Sequence, residues 1–259
     1  MTKEMDFGVF YTCFTEYESV DYSLEELYKI YPDIPVFLVS DGGSDYSELE
    51  NKFSSLKTSL EHDSRGFVPK INVNNFLEEN TQKYMKDSIF TFMDRIERAI
   101  KFCKKDYLLI MEPDVLVRGK LHIDEEAHLL GSRVNHYHWA KDGINEVLKN
   151  IPGSINVSHY GATPAIFKCD TFLKIHKFFK DNENFIEDFC KVDACFPNYD
   201  IFIMVIFSAL GYPEVVNPEL TECLRDVNWR NSNHPLLHQF REFYPNENYT
   251  GRHSANWRY

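Results

Sequence analysis

The chain has 259 residues, 43% of them hydrophobic and 15% aromatic, a composition that supports a packed core and excludes general disorder. Its formal net charge of −12 excludes an ordinary nucleic-acid binder, which needs clustered Lys and Arg to displace counterions from a polyphosphate. An acidic protein still binds a nucleotide diphosphate when a divalent cation reverses the local field.

In chain order, residues 1–6 are charged and carry no basic and apolar leader, so a cytoplasmic location is expected. Residues 7–14 are rich in aromatic and β-branched types and read as a strand, followed by a polar turn over 15–19. A helix is expected to start at a capping box, Ser23 with Glu26, with Leu24, Leu27, Tyr28 and Tyr31 on its apolar face and Pro32 ending it. Residues 36–40 form a nearly all-apolar run, the mark of a strand covered on both faces. Residues 48–86 are polar and weakly periodic, consistent with a short helix and a long excursion. Over 87–103, Ile89, Met93, Ile96, Ile100 and Cys103 share one helical face, with Arg95 and Arg98 on the other.

Residues 107–111 make another apolar strand, with Glu112, Pro113 and Asp114 at its C-terminal end. Ligands of open α/β sheets sit beyond the carboxyl ends of strands, and Asp41 stands at the corresponding end of the 36–40 strand. The alternation of strand and helix therefore predicts an α/β fold with a mostly parallel sheet, in which Asp41, Glu112 and Asp114 gather around one cation. Hard oxygen ligands of this kind suit Mg²⁺ or Mn²⁺, and Pro113 supplies the turn that would aim Glu112 and Asp114 together. The plainer alternative is a solvated acidic turn. Further on, residues 158–168 read as turn and strand, 170–179 as a helix, and 199–210 as a helix closed by Gly211. The longest apolar run, 201–210, is half of the ~20 residues needed to cross a bilayer, so no transmembrane segment is expected. The six cysteines lack paired metal-site spacing and are expected to be reduced and packed.

The stretch from Tyr107 through Glu112-Pro113-Asp114 to Val117 resembles the DxD segment of GT-A glycosyltransferases, with Glu in place of the first Asp. Arg118-Gly119-Lys120-Leu121 is similar to the same region of glycogenin-like enzymes, and Val36 to Asp45 resembles the strand and Asp-rich turn that meets the nucleoside in this superfamily. The resemblance implies a single GT-A domain over 1–259: a nucleotide-binding half at 1–120, an acceptor and sugar half at 121–245, and a tail or lid at 246–259. It also implies transfer of a sugar from a nucleotide diphosphate donor, first a UDP-sugar, to a glycan or other hydroxyl acceptor.

Residue by residue, the resemblance implies that Thr12, Thr15, Asp41 and Gly42 meet the nucleoside. Arg95 would contact phosphate or brace an acid. Gly161 and Ala162, in the small-residue turn Gly161-Ala162-Thr163-Pro164, would line the sugar pocket. Glu112 and Asp114 would hold Mn²⁺ or Mg²⁺, joined by either His234 or His238 from the C-terminal segment. A neutral imidazole beside two carboxylates favours Mn²⁺. Asp200 is the candidate base for the acceptor hydroxyl, with Asp193 in reserve, although a carboxylate near a helix start also serves as a cap.

Two other readings of the same residues are a metal-dependent phosphohydrolase built around Asp41 and a carbohydrate- or nucleotide-binding protein that has lost its chemistry. A sugar-nucleotide pyrophosphorylase is disfavoured, because residues 12–19 contain no glycine for a phosphate loop.

Overall fold

Short apolar runs become inner strands and amphipathic runs become the helices that cover them. The structure is a computed structural model describing residues 3–4, 6–61, 79–123, 127–134, 141–156, 160–192, 205–207, 209–212, 214–216, 220–222 and 229–238. The strands are β1 (Lys3–Glu4), β2 (Phe7–Cys13), β3 (Val36–Asp41), β4 (Leu56–Glu61), β5 (Tyr107–Met111), β6 (Leu116–Val117), β7 (His122–Ile123), β8 (Leu129–Val134), β9 (Tyr160–Lys168), β10 (Glu214–Val216), β11 (Leu220–Glu222) and β12 (Leu236–His238). The α-helices are α1 (Tyr17–Ile30), α2 (Glu79–Cys103), α3 (Lys141–Leu148), α4 (Cys169–Asp181) and α5 (Glu183–Phe189).

Among the described residues the main sheet has the order β10-β8-β9-β5-β2-β3-β4. Every pairing in it is parallel except those of β9, which runs antiparallel to both β5 and β8. Strands β2, β3 and β5 are buried at every position, as strands packed on both faces require. Their period of two sorts side chains between two cores. Val9, Tyr11, Val36, Leu38, Leu109 and Met111 face α1. Phe10, Phe37, Val39, Leu108 and Ile110 face α2, α4 and α5.

Several elements differ from expectation. Helix α1 begins at Tyr17, so Ser23 lies inside it rather than capping it. Ser23 is fully buried and its Oγ lies 2.7 Å from the Tyr11 hydroxyl, with a further bond to the Val20 carbonyl. Helix α2 starts at Glu79, eight residues before the expected 87, and the polar excursion contains an unforeseen edge strand, β4. Residues 161–164 form strand rather than turn. The ladder between β8 and β9 is irregular where Leu130 pairs with Ile166 and Ser132 with Ala162, which places Pro164 inside the irregular stretch, as expected for a residue that cannot donate to a ladder. The described part of the expected 199–210 helix, at 205–207 and 209, is helical and buried.

Among the described residues no helix is long and apolar enough to cross a membrane. Cys13, Cys103, Cys169 and Cys190 are free and buried, and burial pushes the Cys103, Cys169 and Cys190 thiols up to about 12.

Candidate metal centre at the sheet edge

The alternation that builds the core also decides the fate of the acids at the strand ends. Asp41 follows Phe37 and Val39 on the face covered by α2, and its partner in the parallel ladder is Glu61 at the end of β4. Arg95, 1% exposed, rises from α2 between them. Its Nη2 donates to Asp41 Oδ1 at 2.8 Å and its Nε to Glu61 Oε2 at 2.7 Å. Arg98 also reaches Glu61 and lies over the Phe37 ring. Burial alone would raise the Glu61 pKa, but Arg98 and Arg95 hold it below the usual carboxylate range.

Asp41 therefore stands outside the acid group near Glu112, which corrects the expectation of one cation shared by Asp41, Glu112 and Asp114. The physical reason is the guanidinium, which neutralises this fully buried carboxylate from the helix side. Of the two duties expected of Arg95, the structure has it bracing acids.

At the end of β5 the chain leaves the sheet. Val115 N donates to the Glu112 carbonyl at 2.9 Å, closing a turn with Pro113 at its second position, where the fixed φ of proline favours it. Ser19 Oγ from α1 donates to the Pro113 carbonyl at 2.5 Å and pins the turn. Both Glu112 and Asp114 are partly exposed. The chain then re-enters as β6, which pairs antiparallel with β12 through Val117 with Leu236 and Leu116 with Leu237. One further step of that register brings His238 opposite Val115. His238 Nε2 lies 3.8 Å from Asp114 Oδ1, and both side chains are 13% exposed. Glu112, Asp114 and His238 present ligand atoms that all lie within 4.8 Å of one another, a donor set of hard oxygens and one imidazole nitrogen that fits a divalent cation.

Of the two candidate histidines the structure brings His238 to the acids; His234 is exposed and is not part of the group. Thr12 is buried within β2 and Thr15 is exposed just beyond it. Gly42 has φ +74°, and at Gly43 an added Cβ would stand 2.0 Å from the Phe14 carbonyl oxygen, so the turn after β3 packs backbone to backbone against the loop after β2. Gly161 and Ala162 pair with Arg133 and Ser132 in the sheet. Asp193, Asp200 and the tail at 246–259 lie outside the described residues.

Sequence reasoning did not single out Glu61, Glu16 or Ser19. Glu61 sits in a polar run without a motif. The Glu16 carboxylate accepts from the backbone N–H groups of Phe14 and Thr15 at 3.0 and 2.9 Å, which makes it the internal acceptor for the loop after β2. An acid at the start of α1 was the only signal available for it.

A second cluster lies between α2 and α4, where His176 Nε2 is 3.1 Å from Asp94 Oδ1 and Nδ1 is 3.0 Å from Glu97 Oε2. It borders a shallow cavity of about 310 Å³ lined by Glu97, Leu173, His176, Lys177, Lys180 and Asp181. Lys180 Nζ, 2.7 Å from Asp94 Oδ1, already supplies the positive charge there. Burial and the Lys180 ammonium hold His176 below its ordinary pKa, against the pull of Asp94 and Glu97.

No family model and no curated protein sequence matches the chain. Solved structures do. The galactosyltransferase LgtC in complex with donor and acceptor sugar analogues is 14% identical, with a TM-score of 0.57 over 89% of this chain and 86% of LgtC. Core-mannan synthase A from Aspergillus fumigatus, in its Mn/GDP form, is 8% identical, with a TM-score of 0.53 over 79% of this chain and 70% of that one. These likenesses, together with the mostly parallel sheet flanked by helices, show that the chain has the GT-A fold.

Proposed function

We propose that the protein is a metal-dependent glycosyltransferase that moves a sugar from a nucleotide diphosphate donor, with UDP-sugars as the first candidates, to an acceptor hydroxyl. The observation that carries this reading is the convergence of Glu112, Asp114 and His238 at the C-terminal edge of β5, where open α/β sheets bind their ligands. Two similar structures support it from outside. LgtC was solved with donor and acceptor sugar analogues, and core-mannan synthase A with Mn and GDP.

In this reading Glu112, Asp114 and His238 hold Mn²⁺ in preference to Mg²⁺, because the imidazole softens the donor set. Bound there, the ion supplies positive charge against the departing diphosphate. The protein's own groups do the rest. Ser19 and the Pro113 turn keep the two carboxylates aimed together, and the turn after β3 shapes the floor of the nucleoside side. Thr15 and Gly42, exposed at the ends of β2 and β3, are the proposed nucleoside contacts. Gly161 and Ala162 are proposed for the sugar side. Asp200, with Asp193 in reserve, is the proposed base. It takes the proton of the acceptor hydroxyl as that oxygen bonds to the anomeric carbon and the bond to the diphosphate breaks, an assignment that belongs to an inverting reaction.

The test is a thermal-shift screen of nucleotide sugars with and without Mn²⁺. A ligand at a hundred times its Kd stabilises the native state by about 2.7 kcal/mol, roughly 5 °C for a chain of this size. One sugar nucleotide is expected to raise the Tm only when Mn²⁺ is present and to be slowly hydrolysed in the same mixture. Asp114→Asn, which keeps the size of the side chain and removes its charge, is expected to abolish that shift while the unliganded protein still unfolds in one cooperative transition. Shifts that ignore Mn²⁺ would refute metal dependence, and binding without turnover would instead favour the non-catalytic carbohydrate-binding reading.

A further inference from the structure

The third ligand of the metal site arrives on a segment that is paired with β6 and β11 and is anchored ahead of those pairings by one arginine. Arg118 lies just past β6, four residues after Asp114. Its backbone N–H donates to the Pro235 carbonyl at 2.7 Å, while Nη1 and Nη2 reach the carbonyls of Ser232 at 3.2 Å and Arg230 at 3.5 Å. A guanidinium suits this task, because its fixed fork of N–H donors meets several acceptors at once where a lysine meets them singly. Next to it, Gly119 comes so close to Pro235 that an added Cβ would stand 2.8 Å from the proline Cβ. The same segment continues into β12, whose Leu237 packs with Leu116 and Tyr22 and whose end carries His238. From Arg118 to His238 there is thus one continuous path: guanidinium to carbonyls 230 and 232, the Pro235 contact, the two-residue ladder, then imidazole beside Asp114.

We infer that Arg118 is a positioning residue for the metal site, fixing the register of residues 230–238 so that His238 completes the group formed with Glu112 and Asp114. The inference rests on the metal-binding reading given above. Strand β12 lies between β11, whose Glu222 stands opposite His238, and β6, with which it shares only two paired residues, so on the side of the acids its register is set by that short ladder and by the anchors before it. Groups that orient a metal ligand from behind typically change metal affinity by about 10–100-fold when removed.

Calorimetric titration of Mn²⁺ alone, with the electron paramagnetic resonance signal of free Mn²⁺ as a second readout, tests this on the full chain. Arg118→Ala is expected to raise the Mn²⁺ Kd by about 10–100-fold. Arg118→Lys, which keeps the charge but not the fork, is expected to fall between Arg118→Ala and the parent. The decisive comparison is the background: in His238→Ala, adding Arg118→Ala is expected to change the Kd by less than about 2-fold, because the ligand that Arg118 positions is already gone. An Arg118→Ala protein that binds Mn²⁺ like the parent overturns the inference and leaves the metal site standing. So does an equal loss of affinity in the presence and absence of His238, which would mark a general loss of structure, and so does Arg118→Lys binding as tightly as the parent, which would assign the effect to charge alone. A parent protein that binds no Mn²⁺ overturns the metal reading and this inference together.

Discussion

Replacing Arg95 by Met probes the buried ion pair that holds Asp41 apart from the candidate cation site. Asp41 is fully buried, Arg95 is 1% exposed, and their contact is 2.8 Å. Removing one partner of such a pair costs about 3–5 kcal/mol, because the remaining charge stays in a low-dielectric interior. The second contact adds little to this figure. Glu61 is 19% exposed and keeps Arg98, so water and the second guanidinium screen its loss. With an unfolding entropy of ~2.1 cal/mol/K per residue, the loss corresponds to a fall in Tm of roughly 5–9 °C. Urea unfolding followed by circular dichroism measures it. Adding Asp41→Asn removes the stranded charge, and the double variant is expected to recover about 2 kcal/mol or more relative to the sum of the single effects. The reasoning fails if Arg95→Met costs under about 1 kcal/mol, or if the two substitutions simply add.

Two further outcomes follow from local geometry. Gly43→Ala drives a methyl to 2.0 Å from a backbone oxygen that cannot swing away, whereas Gly42→Ala meets only the Glu61 carbonyl at 3.4 Å and bears the cost of its positive φ. Denaturant midpoints should show a loss of about 1–2 kcal/mol at Gly42 and about 3 kcal/mol or more at Gly43, and the reverse order would contradict the backbone packing described. His176 is held below its ordinary pKa in the folded state, so on acidification the unfolded chain takes up its proton first. Its contribution to stability is complete above the unfolded value of about 6.5 and declines as the pH falls from there through the lowered folded value. The difference in stability between the parent and His176→Gln, measured from pH 8 to 5, should therefore shift against the parent on acidification; a shift in its favour would mean that Asp94 and Glu97 dominate instead.

How legible the molecule is from its residues depends on how local each signal is. Strands β2, β3 and β5 are continuous apolar runs bounded by polar turns, and their expected limits differ from the structure by one residue or less. The start of α1 was misplaced because Ser23 and Glu26 mimic a capping box, while Ser23 in fact serves the Tyr11 hydroxyl, a contact between elements that no spacing reveals. Strand β4 escaped notice because it is half exposed at the sheet edge, so its Leu56-Lys57-Thr58-Ser59 lacks the apolar run that marked its neighbours. The Glu-Pro-Asp turn was legible, since proline in a turn after an apolar strand is a local device. The choice between His234 and His238 was not, because it depends on a two-residue pairing with β6.

The different fates of Asp41 and of Glu112 with Asp114 show why an acid at a strand end is not by itself a binding site. Asp41 is still in register with its strand, so the pleat turns it toward α2, and a helix with an arginine at that height neutralises it. Glu112 and Asp114 lie past the last paired residue of β5, where the proline turn frees them from the pleat while Ser19 of α1 holds the turn at the Pro113 carbonyl. The two acids are approached instead by an imidazole from the far end of the described chain, a group that is neutral when unprotonated. An arginine at that place would have closed the group as an ion pair, as Arg95 closes the one at Asp41. A histidine carries no fixed charge, so the group keeps the oxygen and nitrogen donors that the proposed cation would use.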